Sequence, residues 1–375
     1  MSSVVDAFRR LTGHVPDGVW SSPGRANLIG EHTDYNQGLV LPWAIDRSAR
    51  LAIGVRSDRT VRCASRQMAG EVTMAVDDIL PGRVEGWARY PFGVLWAMVA
   101  AGADVPGCDV VIDSDVPVGA GLGSSAAVEV ALALAVAELA GATFTRDELA
   151  HLCQAGEQSM AGAPTGLMDP LAVLESQAGY ALLLDCRDLS RGLVPFAAGT
   201  DVTVLVVDTR VVHDTAGAGY RARREECADA ARLLRLPSLR EATLAEVDSR
   251  LDGVLLRRAR HVVTENERVA RTAALLRAGQ VRRVGPLLTA SHASLRDDYQ
   301  VSCPELDTAV DAAVAAGAWG ARMTGAGFGG CAIALLSPAS SEAVAEAARA
   351  AFARQGYAEP ALFAVASADG ARRVG

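Results

Sequence analysis

One stretch constrains the architecture more than any other. A short apolar strand at 110–113 leads through the loop Pro117-Val-Gly-Ala-Gly-Leu-Gly-Ser-Ser125 into a helix over 124–139 that is apolar nearly all round. A helix without a polar face must be buried on most sides, so the fold has to wrap other layers around it. The chain has the material for this, with 375 residues of which 50% are apolar. That length suggests roughly two domains at about 150 residues each.

The surrounding pattern mixes both element types. Apolar, β-prone runs at 39–45, 51–55 and 60–64 follow one another closely and predict an antiparallel start. Helical lengths fall at 87–102 and 146–158, the second with Thr145 as N-cap and Glu148 three residues on. A buried strand is expected at 202–207, amphipathic helices at 220–236 and 257–278, a helix from Pro304 to about 316, and a strand at 331–335. The regular alternation of a doubly wound sheet is missing, which argues for α+β in both halves. The passage 182–200 reads as the boundary, giving domains 1–190 and 191–375.

Composition removes whole mechanisms. The chain has no lysine; all 36 basic side chains are arginine. A Walker A loop, a protein-kinase site and a Schiff-base or pyridoxal-phosphate enzyme each need a lysine, so none of these is possible. The net charge of −8 gives no global attraction for nucleic acid or an anionic membrane. Seven cysteines lie at least 28 residues apart, with no CxxC and no metal-type spacing, and read as reduced thiols of a cytoplasmic protein. The N-terminus lacks the apolar core of a secretory signal, and the most apolar stretch, 128–142, carries Glu129 and Glu138, so no membrane span is expected.

Three polar or glycine-rich stretches carry the chemistry. In the loop at 117–125, Gly119, Gly121 and Gly123 can take positive φ and let a ligand approach the backbone. The loop ends at a helix N-terminus, where unpaired N–H groups and the dipole favour phosphate. It is neither GxxxxGK[ST] nor GxGxxG; the bland reading is a strand–helix turn capped by serine. The second stretch, Gly320-Ala-Arg-Met-Thr-Gly-Ala-Gly-Phe-Gly-Gly330, contains a formal GxGxxG, but a strand follows where a dinucleotide site needs a helix. A tight turn packed under another loop is its alternative. The third, Gly24-Arg-Ala-Asn-Leu-Ile-Gly-Glu-His-Thr-Asp-Tyr-Asn-Gln-Gly38, crowds Arg25, Asn27, Glu31, His32, Asp34 and Asn36 around one apolar pair. Carboxylates accept hydrogen bonds that sugar hydroxyls donate, and Arg25 could hold a phosphoryl group or a carboxylate. A solvated loop with local Asp and Asn turns is the alternative.

Taken in order, these stretches resemble the three motifs of the GHMP small-molecule kinases, and the one at 24–38 resembles the galactokinase signature within that group. Segments 164–169, 208–226 with His213, and 291–307 are also similar, so the resemblance runs over nearly the whole chain. It implies a two-domain α+β fold with the site in the interdomain cleft. The implied reaction is transfer of the γ-phosphoryl group of Mg-ATP to the 1-hydroxyl of galactose. Asp169 would be the catalytic carboxylate with Arg25 beside it. Glu31, His32, Asp34, Gly166 and Tyr220 would bind the sugar. Gly119, Gly121, Gly123, Ser124, Ser125 and Ala126 would wrap the phosphates of ATP, Trp87 would border the adenine, and Ser125 with Glu157 would hold Mg²⁺. A monomer acting on small molecules is expected. A kinase for another sugar, such as an arabinose or an N-acetylhexosamine, and a non-catalytic sugar and ATP sensor are the alternatives. The sequence departs from the family at Gly123, where a serine is usual, and at Pro170, where glutamine is common and where proline biases Asp169 away from the α region.

Overall fold

A computed structural model describes residues 3–162, 165–196, 201–211 and 216–375. Its largest sheet has six strands in the spatial order Arg372–Arg373, Gly18–Asn27, Pro42–Val55, Cys108–Ser114, Thr60–Ser65, Glu71–Ala75. All neighbours are antiparallel except Thr60–Ser65 and Cys108–Ser114. Side chains alternate across it with period two, as a sheet covered on both faces requires. Trp20, Leu51, Ile53, Val110 and Ile112 enter the main core, while Val19, Ala52 and Val111 meet Val4 and Phe8 of the helix Val4–Thr12.

The apolar helix Ser124–Leu139 lies at the centre, against the strands Gly18–Asn27 and Pro42–Val55 and beside the helices Arg89–Ala100, Arg146–Gly156 and Met168–Glu175. Burial on most sides, expected from its composition, is what the structure has. The helices Arg89–Ala100 and Arg146–Gly156 cross in backbone contact: a Cβ on Gly156 would stand 2.5 Å from the Gly93 carbonyl carbon. The capping box at Thr145 and Glu148 is formed.

In the C-terminal part, a four-stranded antiparallel sheet runs Gly320–Thr324, Cys331–Leu336, Thr203–Asp208, Ala361–Val365. One face (Leu205, Val207, Ala332, Ala334) packs into a second core with the helices Pro304–Ala315 and Ser341–Gln355; the other (Val206, Ile333, Leu335) joins the main core. A third sheet holds Leu39–Val40, Tyr180–Asp185 and Arg191–Pro195. The division expected at 190/191 therefore falls in the turn of a hairpin, and the four-stranded sheet begins only at Thr203.

Some expectations need correction. The runs at 39–45 and 51–55 belong largely to one long strand, Pro42–Val55, because the polar residues between them stay extended: Ser48 pairs with Pro23, and the Asp46 N–H, opposite the register shift, donates to the Ala366 carbonyl at 3.0 Å. The polar stretch 24–38 is not loop throughout, since its first residues end the strand Gly18–Asn27. Pro170 does not push Asp169 out of the α region. The helix Met168–Glu175 contains both, with proline in the first turn, where its missing N–H would have no intrahelical partner.

Candidate active site

Arg25 reaches the site because its strand is irregular. The register with Pro42–Val55 shifts between Pro23 and Arg25, and a bulge of this kind re-aims side chains. The Arg25 N–H then donates to the Leu122 carbonyl at 2.9 Å, which ties the strand to the loop at 117–125. Its guanidinium donates through Nε to Asp169 Oδ1 at 2.7 Å and through Nη2 to Oδ2, a two-pronged ion pair, and through Nη1 to the Gly121 carbonyl at 2.6 Å. One buried cation thus holds both the carboxylate and the glycine loop.

The loop itself has left-handed φ at Gly119, Gly121 and Gly123, of 72°, 76° and 71°. Two of these glycines are also required by contact. A Cβ on Gly121 would stand 2.9 Å from the Thr324 carbonyl oxygen, and one on Gly123 would stand 2.9 Å from Arg25 Cγ. The absent serine at 123 is therefore accompanied by close packing of arginine on that position. Gly123 is the N-cap, and no side chain caps the helix Ser124–Leu139, so neither serine plays the capping role that was the bland reading. The second glycine loop, Gly325–Gly330, connects two strands and packs on the first: a Cβ on Gly325 would meet Gly121 Cα at 2.9 Å, and one on Gly330 the Ala120 carbonyl oxygen at 3.0 Å.

Two cavities flank the Arg25–Asp169 pair. The first, of about 390 Å³, is lined by Gly119, Gly121, Gly123, Ser124, Ser125, Trp87, Met68, Tyr90 and part of the second glycine loop. The second, of about 480 Å³, is lined by Glu31, His32, Asp34, Thr165, Gly166, Tyr220 and Arg221. Arg25, Asp169 and Ala326 line both. Of the residues singled out in the sequence, Asn27, Asn36, Ala126 and Glu157 form no part of either wall. Ala126 is a buried side chain in the first turn of its helix, and Glu157 reaches the first cavity only through its hydrogen bond with Ser125. His213 and Pro164 lie outside the described residues.

Burial dominates the electrostatics. It pushes the Asp34 carboxyl up to about 6, with Asp169 adding to the rise, and the Glu157 carboxyl up to about 7, again with Asp169 adding. His32 is held neutral, its pKa lowered to about 3 by burial and by His261. Glu31 is raised by burial and partly offset by Arg322. Glu31 is fixed by that fully buried arginine: Arg322 pairs with it through Nη2, donates through Nη1 to the Asn27 carbonyl at 3.1 Å, and lies 3.7 Å from Glu265. Glu31 also accepts the Gly325 N–H at 2.9 Å, and Glu265 accepts that of Gly30 at 3.0 Å. For Glu265 burial works toward a raised pKa, yet Arg268, His261 and Arg322 hold it down to about 2.

Sequence reasoning missed Arg322, Glu265 and Tyr299. The available signal was an arginine inside an otherwise apolar strand, which demands a buried partner. Among the described residues there is no group of three or more His, Cys, Asp or Glu side chains that could hold a metal, and no helix long and apolar enough to cross a membrane.

Three family descriptions match the chain: the galactokinase galactose-binding signature over residues 6–55, the GHMP kinases N-terminal domain over 89–177 and the GHMP kinases C-terminal domain over 272–354. A galactokinase of Streptomyces coelicolor is 47% identical over 99% of this chain and 98% of its own length. The human galactokinase is 42% identical over 89% of this chain and 88% of its own. The crystal structure of Lactococcus lactis galactokinase complexed with galactose superposes with a TM-score of 0.94 at 32% identity, covering 99% of both chains. The mevalonate kinase of Methanococcus jannaschii shares the fold, with a TM-score of 0.67 at 17% identity over 94% of this chain and 98% of its own.

Proposed function

The chain belongs to the GHMP kinases and, within them, to the galactokinases, and from that premise we propose that it moves the γ-phosphoryl group of ATP onto the 1-hydroxyl of galactose across the seam between the two cavities. ATP occupies the cavity with the glycine loop and the uncapped helix N-terminus, its adenine against Trp87. Galactose occupies the cavity with Glu31, His32, Asp34, Gly166 and Tyr220. The observation that carries this reading is the Arg25–Asp169 pair, which belongs to both cavities at once.

Phosphoryl transfer asks a protein mainly for positioning and charge stabilisation. Asp169 accepts a hydrogen bond from the attacking hydroxyl and aims its oxygen at the γ-phosphorus. The new oxygen–phosphorus bond forms as the bond to the β,γ-bridging oxygen breaks, ADP leaves, and the hydroxyl proton passes toward Asp169. Arg25 keeps the carboxylate in place and lays positive charge beside the transferred group. Asp34 takes hydrogen bonds from sugar hydroxyls.

Ser125 and Glu157 fit Mg²⁺. Both offer hard oxygen donors, and a buried carboxyl raised to about 7 is one that a cation would bring back to its charged form. Bound there with the phosphates, the ion would supply countercharge that a lysine-free loop lacks. The acidic charge of −8 and the seven unpaired cysteines support a monomer acting on small molecules in the cytoplasm.

ADP release from Mg-ATP across a sugar panel tests the reading. Release with galactose is expected. Release only with an arabinose or an N-acetylhexosamine would reassign the acceptor, and sugar binding without release from any member would make the chain a sensor.

A further inference from the structure

Behind the sugar cavity, three side chains that line neither cavity, Tyr35, Tyr299 and Cys227, run in a chain to His32 in its wall. Cys227 Sγ lies 3.0 Å from Tyr299 Oη, which lies 2.8 Å from Tyr35 Oη, which lies 2.9 Å from His32 Nδ1; His32 Nε2 in turn lies 3.1 Å from the Ala326 carbonyl oxygen. The direction of every bond follows from its end. A carbonyl oxygen only accepts, so Nε2 carries the proton. The neutral imidazole then accepts at Nδ1, so Tyr35 donates to it, Tyr299 donates to Tyr35 and the Cys227 thiol donates to Tyr299. Tyr299 and Cys227 are buried, and His32 is held in the left-handed region at φ 63°, a position that a non-glycine residue keeps only when its surroundings fix it. Asn36 Nδ2 adds a bond to the His32 carbonyl at 2.9 Å, and the His32 and Tyr299 ring centroids are 4.8 Å apart. Both ring nitrogens of His32 therefore have protein partners, and one of those partners, Ala326, lines both cavities.

We propose that Tyr35, Tyr299 and Cys227 are positioning residues of the sugar site: their one-way hydrogen-bond chain fixes the ring of His32 and pins the loop at 30–36 to the second glycine loop, so that the sugar and nucleotide cavities keep a common register. This rests on the reading of the cavity beside His32 as the galactose site. Cutting the chain frees His32 on the sugar wall, while the nucleotide wall keeps the packing of Gly325 and Gly330 on the first glycine loop. The effect fades with distance from His32, because each further bond acts only through the one before it.

The test uses the full-length protein with nitrogen-15-labelled histidine, His32 being assigned among the six histidines by its loss in His32→Gln. Tyr35→Phe keeps the ring and removes the donor. The His32 Nδ1 resonance is expected to move to that of an unbonded imine nitrogen. Galactose KM is expected to rise roughly tenfold, the cost of an unsatisfied buried acceptor, with ATP KM unchanged. Tyr299→Phe should shift both readouts the same way by less. Cys227→Ala should shift them least, and Cys227→Ser should restore them. Unchanged galactose KM in Tyr35→Phe, while Asp34→Asn raises it, overturns the inference and leaves the cavity assignment standing. Galactose KM unchanged in both variants defeats the cavity assignment and the inference with it. An equal rise in galactose and ATP KM with a lower Tm makes these residues ordinary packing and also overturns it.

Discussion

The two cavities that meet at Arg25 and Asp169 are built by opposite means. The side proposed for the nucleotide is centred on backbone: three left-handed glycines and an uncapped helix end from one continuous segment, closed by apolar side chains such as Met68 and Trp87 and by the second glycine loop. The side proposed for the sugar is made of buried groups whose partners come mostly from far along the chain, with Glu31 held by Arg322, Gly30 by Glu265, and His32 by Ala326 as well as by the nearby Tyr35. A backbone cradle recognises charge and needs close approach. A rigid lattice of carboxylates and aromatic rings recognises the places of individual hydroxyls. The first tolerates change in its side chains but not in its glycines; the second should fail when a distant partner is lost.

The harshest way to break that contrast is Arg322→Met. It leaves Glu31 and Glu265 buried without their shared cation, which costs about 3–5 kcal/mol. Thermal unfolding should show a large fall in Tm, and galactose binding by calorimetry should vanish while ATP binding persists in the folded fraction. The mirror experiment is Gly121→Val. A side chain there needs φ near 76° and collides with the Thr324 carbonyl oxygen. ATP KM should rise roughly tenfold to hundredfold, with galactose affinity held within about twofold.

Next in size is the pH response of the sugar side. The Asp34 pKa is raised to about 6, so the carboxylate we propose as acceptor of sugar hydroxyls is present above that pH and is lost as pH falls through it. Galactose affinity should weaken by up to about tenfold per pH unit below 6, and Asp34→Asn should flatten the profile at a lower affinity. The smallest effect is at Glu129. This carboxyl is buried in the central helix, neither oxygen has a partner, and burial, followed by Glu157 and Asp169, raises its pKa well above the usual range. A raised carboxyl binds more protons folded than unfolded, so its contribution to stability falls as pH rises from its unfolded pKa toward its folded one. Denaturation of Glu129→Gln across pH should lose that slope and show a gain over the parent at the alkaline end, with little change in kcat.

The same contrast decides what could be read from the sequence. The glycine loop, its helix and the buried strand Thr203–Asp208 were legible because each is a local pattern: glycine spacing, an unbroken apolar stretch, a β-branched run. Arg25 and Asp169 were legible through the resemblance, and the structure brings them together although they lie 144 residues apart. The partners of the sugar lattice were not, because nothing local distinguishes Tyr299 or Glu265 from a packing tyrosine or a surface glutamate. Only the fold shows that they are buried against Tyr35 and Arg322. The strands Ala361–Val365 and Arg372–Arg373 were missed for a related reason: the first is short and only half-buried and the second is a two-residue exposed edge, so neither carries a strong periodic signal.

The most direct test of the whole account is the turnover of Asp169→Asn with galactose and Mg-ATP, measured beside the KM for each substrate. If the seam between the cavities is where the phosphoryl group moves, kcat should fall by at least about a hundredfold, near 2.7 kcal/mol, while both KM values stay within a few-fold. A kcat within about tenfold of the parent, roughly 1.4 kcal/mol, would mean that the chemistry takes place somewhere else.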